Sequence, residues 1–454
     1  MDLSNIKNIY FLGIGGIGMS ALARYFHYHK VAVYGYDKTE TDLTRKLEAE
    51  GIDIHYDENP SHIPENIDLV VFTPAIPSDN AEFQYFKKTN IPTTKRAELL
   101  GFLSKDFFTI AVAGSHGKTT ITSIISYILK DCGKDIIAFI GGISKNFESN
   151  FVISPDAEFL IVEADEFDRS FLNLQPDVAV ISSIDPDHLD IYHKKDHLFD
   201  SFTQFINNIK PAGTLIIKND LLRVNRQDIT IKTYGLTHNV DFQALNLTVN
   251  NGVQHFHLHA ANRFIEDIKL QVLGSFNVEN ALAAVAVCLS VGISPEQISK
   301  SLLTYKGVER RFDIRINSQK IVFIDDYAHH PEELKAIILA VKETYPGKKI
   351  TGIFQPHLYS RTRDFAEDFA KSLEMLDEVI LLPIYPARET PIEGISSDML
   401  LQKIDKAQKM VCKKRDIIDV LNQKKFEVLL TLGAGDIDRL VIPIENYLKT
   451  KMIN

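Results

Sequence analysis

Short apolar runs alternate along this chain with segments of helical spacing, and glycine-rich turns often join the two. Asn8–Leu12 is apolar and predicts a strand. It runs into Gly13-Ile-Gly-Gly-Ile-Gly18, and Met19–His29 then repeats its apolar positions at helical spacing. Val31–Tyr36 and Asp68–Thr73 predict two further strands, ending at Asp37 and at Thr73-Pro74-Ala75. This βαβ rhythm predicts a parallel sheet covered by helices. It restarts near Asp106, where Phe107–Ala113 feeds Gly114-Ser-His-Gly-Lys-Thr-Thr120 and a helix over Ile121–Lys130. Glu158–Glu163 and Asp177–Ile184 read as strands, Phe242–Ala260 as an alternating hairpin, and Asn277–Leu289 as an alanine-rich helix. A third restart near Arg311 brings strands at Ile321–Asp326, Lys349–Phe354, Glu378–Leu382 and Glu427–Leu432.

The expected fold is therefore α/β in three domains. Residues 1–105 form a Rossmann-like domain, 106–310 a central domain of the P-loop ATPase type, and 311–454 a second Rossmann-like domain. A length of 454 residues agrees with that number, at about 150 residues per domain.

Composition narrows the function classes. Apolar residues make up 45% and charged residues 24%, as in ordinary globular chains, which excludes disordered, fibrous and disulfide-stapled classes. The net charge of −10 argues against a nucleic-acid partner, which calls for a basic face. Anionic ligands would have to be held by local pockets against the global field. Cys132, Cys288 and Cys412 are far apart and read as small hydrophobes in a reducing compartment. Neither a signal-peptide pattern nor an apolar run of about 18 residues is present, so a cytoplasmic protein without membrane insertion is expected.

The strongest motif is Gly114-x-x-Gly117-Lys118-Thr119, between a strand and a helix. Backbone N–H groups of such a turn, aided by the helix dipole, cradle phosphate. Lys118 can reach the β and γ phosphates and Thr119 can bind Mg²⁺. The spacing is a shortened P-loop, since Val112 stands where the full pattern has its first glycine. Glu163-Ala-Asp-Glu166, with Asp168, follows the next strand and offers hard oxygen ligands. Asp185-Pro-Asp-His188-Leu-Asp190 follows another. Successive strand ends of one open sheet favour a shared metal and phosphate site. Gly13-x-Gly15-x-x-Gly18, with Asp37 ending the next strand, fits a loop for a pyrophosphate-bearing nucleotide. Taken alone it fits a tight packing turn as well. His255, His257 and His259 recur at period two and read as a solvated strand face rather than a metal box.

Two nucleotide loops in this order, with Glu163–Glu166 and Asp187-His188, resemble the Mur ligases. The likeness continues through Asn277-Val-Glu-Asn280, Gly307-Val-Glu-Arg-Arg-Phe312, Asp326-Tyr-Ala-His-His-Pro331, Phe354-Gln-Pro-His357 and Tyr359-Ser-Arg-Thr-Arg363. The resemblance implies a cytoplasmic, ATP-dependent amino-acid ligase of peptidoglycan synthesis, a monomer or homodimer. Its implied substrates are ATP, UDP-N-acetylmuramate and L-alanine, with one or two Mg²⁺ ions as cofactors. Gly15, Gly16, Ile17 and Gly18 would meet the pyrophosphate, with Asp37, Thr73, Pro74 and Ala75 lining the UDP-sugar site. ATP would lie on Gly114, Ser115, His116, Gly117, Lys118, Thr119 and Thr120. Asn277 and Asn280 would meet the adenine, and Arg310 and Asp326 the phosphates and ribose. Thr119, Glu163 and His188 would hold metal. Tyr327, His329, Arg361 and Arg363 would line the amino-acid pocket, with His329 as the candidate base beside Lys118 and Arg310 in catalysis.

Two positions depart from the family's pattern. Phe276 stands where a histidine is usual next to Asn277. Phe202 stands where some sister ligases carry a carbamylated lysine, as the alanine-adding branch would have it. Three rival readings remain at this point. One is a ligase attaching a tripeptide to the same UDP-sugar. Another is a nicotinamide dehydrogenase resting on Gly13–Gly18, and the third an ATP-driven switch.

Overall fold

A computed structural model describes residues 3, 5–185, 195–250, 252–260, 263–387, 389–406 and 408–453. Three sheets organise the chain. The first runs in the spatial order Asp53–His55, Ala32–Tyr36, Asn8–Leu12, Leu69–Phe72, Thr93–Lys95, and every pairing is parallel. Its strands bury both faces. Ile9, Phe11, Leu69 and Val71 enter one apolar cluster, and Tyr10, Leu12 and Val70 enter another on the opposite side. That is the period-two alternation of a strand covered by helices on both sides.

The second sheet has ten strands. Phe108–Ala113 lies between Phe159–Ala164 and Val178–Ile181, parallel to both. The connections that follow Phe108–Ala113 and Phe159–Ala164 therefore run in opposite directions along the sheet, and the crevice at the C-terminal ends of these strands is where open α/β sheets bind ligands. Beyond Phe159–Ala164 come Ile136–Ser144 and an antiparallel edge, Ser149–Ile153, which the sequence pattern did not signal. The third sheet runs Asp313–Asn317, Val322–Asp326, Val428–Leu432, Ile350–Phe354, Glu378–Leu381, Lys409–Val411. Its first strand is antiparallel to the next, and the pairings of the others are parallel. Val322 and Ile324 point into one cluster and Phe323 into the other, so this sheet too is the middle of three layers.

The chain forms two compact units, Met1–Asn246 with Phe256–Lys269 and Glu279–Lys306, and Leu247–His255 with Leu270–Val278 and Gly307–Asn454. Within the first, helix Ile17–Tyr28 packs on the second sheet's edge. Tyr25 meets Phe139 and Phe151 at ring distances of 6.1 and 6.4 Å. Asn150 donates from Nδ2 to the Ile17 carbonyl at 2.6 Å and to Ser20 Oγ at 3.0 Å. Phe202 is fully buried, edge-on to Phe171 at 5.2 Å. His255 and His257 are partly exposed and His259 exposed, while Gln254, Phe256, Leu258 and Ala260 are buried, the solvated face expected of them. The three cysteines are free thiols; Cys288 and Cys412 are buried and Cys132 is partly exposed. Among the described residues no helix is long and apolar enough to cross a membrane.

Candidate active site

The phosphate loop begins where Phe108–Ala113 ends. Ser115 N donates to the Ser183 carbonyl at 3.2 Å, and His116 N to Ser183 Oγ at 2.8 Å. Ser115 Oγ donates to the Asp185 carbonyl at 3.0 Å. The segment that follows strand Val178–Ile181 thus fixes the loop. Gly117 caps the next helix at φ +85° with no side-chain cap, so helix Lys118–Asp131 starts at Lys118 rather than at the expected Ile121. Lys118, Thr119 and Thr120 consequently form its first turn. This is the arrangement in which N–H groups and the helix dipole meet an anion.

Lys118 Nζ donates to Glu166 at 2.8 and 3.0 Å and to the Gly114 carbonyl at 2.7 Å. Burial weakens an ammonium, but the Glu166, Asp165 and Glu163 carboxylates outweigh it and hold the Lys118 pKa above its ordinary value. Burial also pushes the Glu166 carboxyl up, with Lys118 pulling the other way. Lys118 is thus a fixed positive charge at the loop, tethered to a buried carboxylate that a phosphoryl oxygen could replace.

Glu163 faces Val112 across the parallel pairing, just below the loop. Its Oε1 accepts from Gly141 N at 3.0 Å. A Cβ on Gly141 would lie 2.3–2.5 Å from the Glu163 carboxyl atoms, so the carboxylate keeps this position only over glycine. Gly141 was not singled out from the sequence. The Gly141-Gly142 pair inside an apolar run was the available signal. Asn280 also borders the loop, its Oδ1 2.5 Å from where a Gly117 Cβ would stand. His188 lies outside the described residues.

In the first glycine loop, Gly15 N donates to Asp37 Oδ2 at 2.8 Å, and Gly16 caps helix Ile17–Tyr28 without a side-chain bond. Asp37 therefore shapes the loop directly. Thr73, Pro74 and Ala75 line a cavity of about 200 Å³ with Lys95, Arg96 and Asp165. Lys95 pairs with Asp168 at 3.0 Å and Arg96 lies 3.6 Å from Asp165. These two cations, unmarked by any sequence pattern, line that cavity.

The second unit holds the remaining candidates. Asn277 Nδ2 donates to the Leu273 carbonyl at 2.8 Å, and Phe276 lies 6.0 Å from the Phe312 ring. Arg310, at φ +60°, donates to Asp325 at 3.2 Å and to the Gly433 carbonyl at 2.5 Å. Asp326 ends its strand with Oδ2 accepting from Phe312 N at 2.6 Å and Oδ1 from Ala328 N at 2.8 Å. His329 Nδ1 lies 3.2 Å from Glu333 Oε2, and its ring is 5.2 Å from Tyr327 and 6.0 Å from His357. Arg361 and Arg363 share helix Tyr359–Asp364, and Arg363 is half exposed and paired with Asp364.

Burial pushes the Asp326 carboxyl up to about 6, against the pull of the Phe312 and Ala328 amides and Arg311. The unfolded carboxyl titrates near 3.8, so the folded state binds the proton more tightly between those values. Stability from this group is highest below pH 4 and falls as pH rises through 6. About two pKa units correspond to about 3 kcal/mol. The unfolding free energy of wild type relative to Asp326→Asn is expected to fall by about that much between pH 4 and 7. Denaturant titrations at both ends check it.

Comparison with known proteins covers nearly the whole chain. A family model described as the Mur ligase family catalytic domain matches residues 8–108, the Mur ligase middle domain 112–288, and the Mur ligase glutamate ligase domain 310–435. The UDP-N-acetylmuramate–L-alanine ligase of Parabacteroides distasonis is 47% identical over 455 aligned positions, covering 99% of this chain and 98% of that one. The crystal structure of the UDP-N-acetylmuramate-alanine ligase MurC of Thermotoga maritima superposes with a TM-score of 0.83 at 27% identity, over 98% of this chain and 99% of that one. A murein peptide ligase of Psychrobacter arcticus shares the fold, with a TM-score of 0.70 at 21% identity over 97% and 98% of the two chains. This three-domain α/β chain belongs to the Mur ligase family.

Proposed function

We propose that the chain joins L-alanine to the lactyl carboxylate of UDP-N-acetylmuramate at the expense of ATP, giving UDP-N-acetylmuramoyl-L-alanine, ADP and phosphate. The observation that carries this reading is 47% identity, over 99% of the chain, to an enzyme named for that reaction. The peptide ligase that shares the fold is 21% identical, which does not favour the tripeptide reading. A dehydrogenase reading leaves the Gly114–Thr120 loop and the Lys118–Glu166 pair without a use.

A carboxylate and an amine do not condense unaided in water. The lactyl carboxylate attacks the γ-phosphorus of ATP, ADP leaves, and an acyl phosphate forms. The alanine amine then attacks the acyl carbon and phosphate leaves. The first step needs positioning and charge neutralisation above all. Lys118 supplies a fixed charge, and the loop amides hold the nucleotide phosphates. Thr119 and Glu163, with His188, are the residues proposed to hold Mg²⁺; a hydroxyl and a Gly141-positioned carboxylate suit a hard cation. Bound there, Mg²⁺ would neutralise charge on the transferring phosphoryl group. Arg310, Asp326, Asn277 and Asn280 are proposed nucleotide contacts. Tyr327, Arg361 and Arg363 are proposed to hold the amino acid. His329, oriented by Glu333, is the proposed acceptor of the amine proton. Gly15–Gly18, Asp37 and Thr73–Ala75 are proposed for the UDP-sugar, in a cytoplasmic enzyme.

Phosphate release from Mg·ATP should require both UDP-N-acetylmuramate and L-alanine, and mass spectrometry should show the amide product. Release indifferent to both substrates refutes the reading, and product formed only from the tripeptide would establish the rival ligase. Gly141→Ala should raise the Mg²⁺ concentration for half-maximal activity at least about tenfold, because it displaces the Glu163 carboxylate. A Mg²⁺ titration of the steady-state rate checks this.

A further inference from the structure

Outside these loops, three side chains converge at the far edge of the first sheet. His55 ends strand Asp53–His55, Asp57 follows it, and His62 closes the 3₁₀ turn Pro60–His62. One ligand atom from each lies within 4.8 Å of the others. His62 Nδ1 is 3.0 Å and His55 Nδ1 3.7 Å from the same Asp57 Oδ1. With metal–ligand bonds of about 2.0–2.1 Å, ligand atoms on a tetrahedral ion stand about 3.3–3.4 Å apart. The two observed separations straddle that edge.

The hydrogen-bond ledger on His55 adds a second, independent argument. Tyr10 Oη donates to Glu82 Oε2 at 2.6 Å and lies 2.7 Å from His55 Nε2. A hydroxyl has one proton. Where Glu82 is ionised, that proton is committed to it, and His55 Nε2 carries its own and donates to Tyr10. The Nδ1 of the neutral ring is then a bare lone pair. It faces the Asp57 carbonyl at 2.9 Å and the Asp57 carboxylate, which are acceptors as well. Three acceptors converging on one point call for a cation between them. A ligating histidine whose other nitrogen is held by a hydroxyl and a buried carboxylate is the usual outer support of a metal site. Here that support is rigid, because Tyr10 and Glu82 are both 0% exposed. Asn59 fixes the turn carrying His62, its N–H donating to Glu82 at 3.2 Å and its side chain accepting from Ser61 N at 3.1 Å.

We propose that His55 Nδ1, Asp57 and His62 Nδ1 bind a divalent transition-metal ion of the zinc type, with a fourth position open to water. Two imidazoles and one carboxylate suit Zn²⁺ and its neighbours rather than Mg²⁺. The site is separate from the residues proposed to hold Mg²⁺.

The test is equilibrium dialysis of the metal-stripped full-length protein against Zn²⁺ in excess Mg²⁺, repeated with Co²⁺ to record the visible bands of tetrahedral cobalt. Wild type should hold one zinc equivalent that His62→Ala binds at least 100-fold more weakly. Asp57→Asn should behave like His62→Ala. Tyr10→Phe, which keeps every ligand, should lose about tenfold in zinc affinity. His62 and Asp57 are exposed, and unchanged melting curves of their variants would show that the fold is kept. Zinc binding of equal stoichiometry and affinity in wild type and all three variants overturns the proposal. So does absence of bound zinc in wild type.

Discussion

Lys118→Ala is expected to lower substrate-dependent phosphate release by at least about 10³-fold, because it removes the partly buried ammonium that Gly114 and Glu166 hold at the phosphate loop. The same change leaves Glu166, which is 1% exposed, without the ammonium it binds at 2.8 Å. Breaking one side of a buried pair costs about 3–5 kcal/mol. A loss of activity could therefore reflect unfolding alone, and the companion variant separates the two. In Lys118→Met with Glu166→Gln, both charges go and the volumes stay similar. Stability should recover most of the loss in a denaturant titration, and activity should recover none of it. If Lys118→Ala keeps more than about a tenth of the wild-type rate while folded, the phosphoryl group is neutralised elsewhere and the loop holds some other anion.

The Lys118–Glu166 pair also marks where sequence reasoning stopped. The strand and helix pattern located the glycine loops and the central parallel strands of all three sheets, because apolar period and glycine turns are local signals, while short parallel strands such as Asp53–His55, Thr93–Lys95 and Lys409–Val411 were missed. Acidic residues after Phe159–Ala164 were equally visible as hard-oxygen candidates, but their division of labour was not. Glu163 leans on Gly141 and Glu166 grips Lys118, and both facts depend on which strands are neighbours in space. Lys95 and Arg96 were silent for the same reason: one ends a strand of the first sheet, the other opens the helix that follows, and they meet Asp168 and Asp165 beside another sheet. The antiparallel edges Ser149–Ile153 and Asp313–Asn317 escaped because a short edge strand has little apolar period of its own. Family resemblance supplied roles for Tyr327, His329 and Arg361 that no local pattern carries. The Tyr10–Glu82–His55 chain, by contrast, joins residues far apart in sequence through hydrogen bonds alone.

Gly117→Ala should lower kcat/KM for ATP by about 10²-fold, the scale of a displacement of about 1 Å at a reacting group. Two effects act together. Gly117 sits at φ +85°, where a Cβ costs about 1–2 kcal/mol. That Cβ would also stand 2.5 Å from Asn280 Oδ1, so either the loop or Asn280 must move. Gly133, just past the other end of the same helix, makes a matched control. It sits at φ +78°, and an added Cβ there meets nothing within 4 Å. Gly133→Ala therefore carries the backbone strain without the steric contact and far from the phosphate loop. Gly133→Ala should lose about 1–2 kcal/mol of stability and Gly117→Ala at least as much, and only Gly117→Ala should lose activity. Equal activity losses would mean that helix stability, rather than loop geometry, sets the rate. Near-normal ATP kinetics in Gly117→Ala would mean that neither the shape of this turn nor the placement of Asn280 governs how the nucleotide phosphates are held.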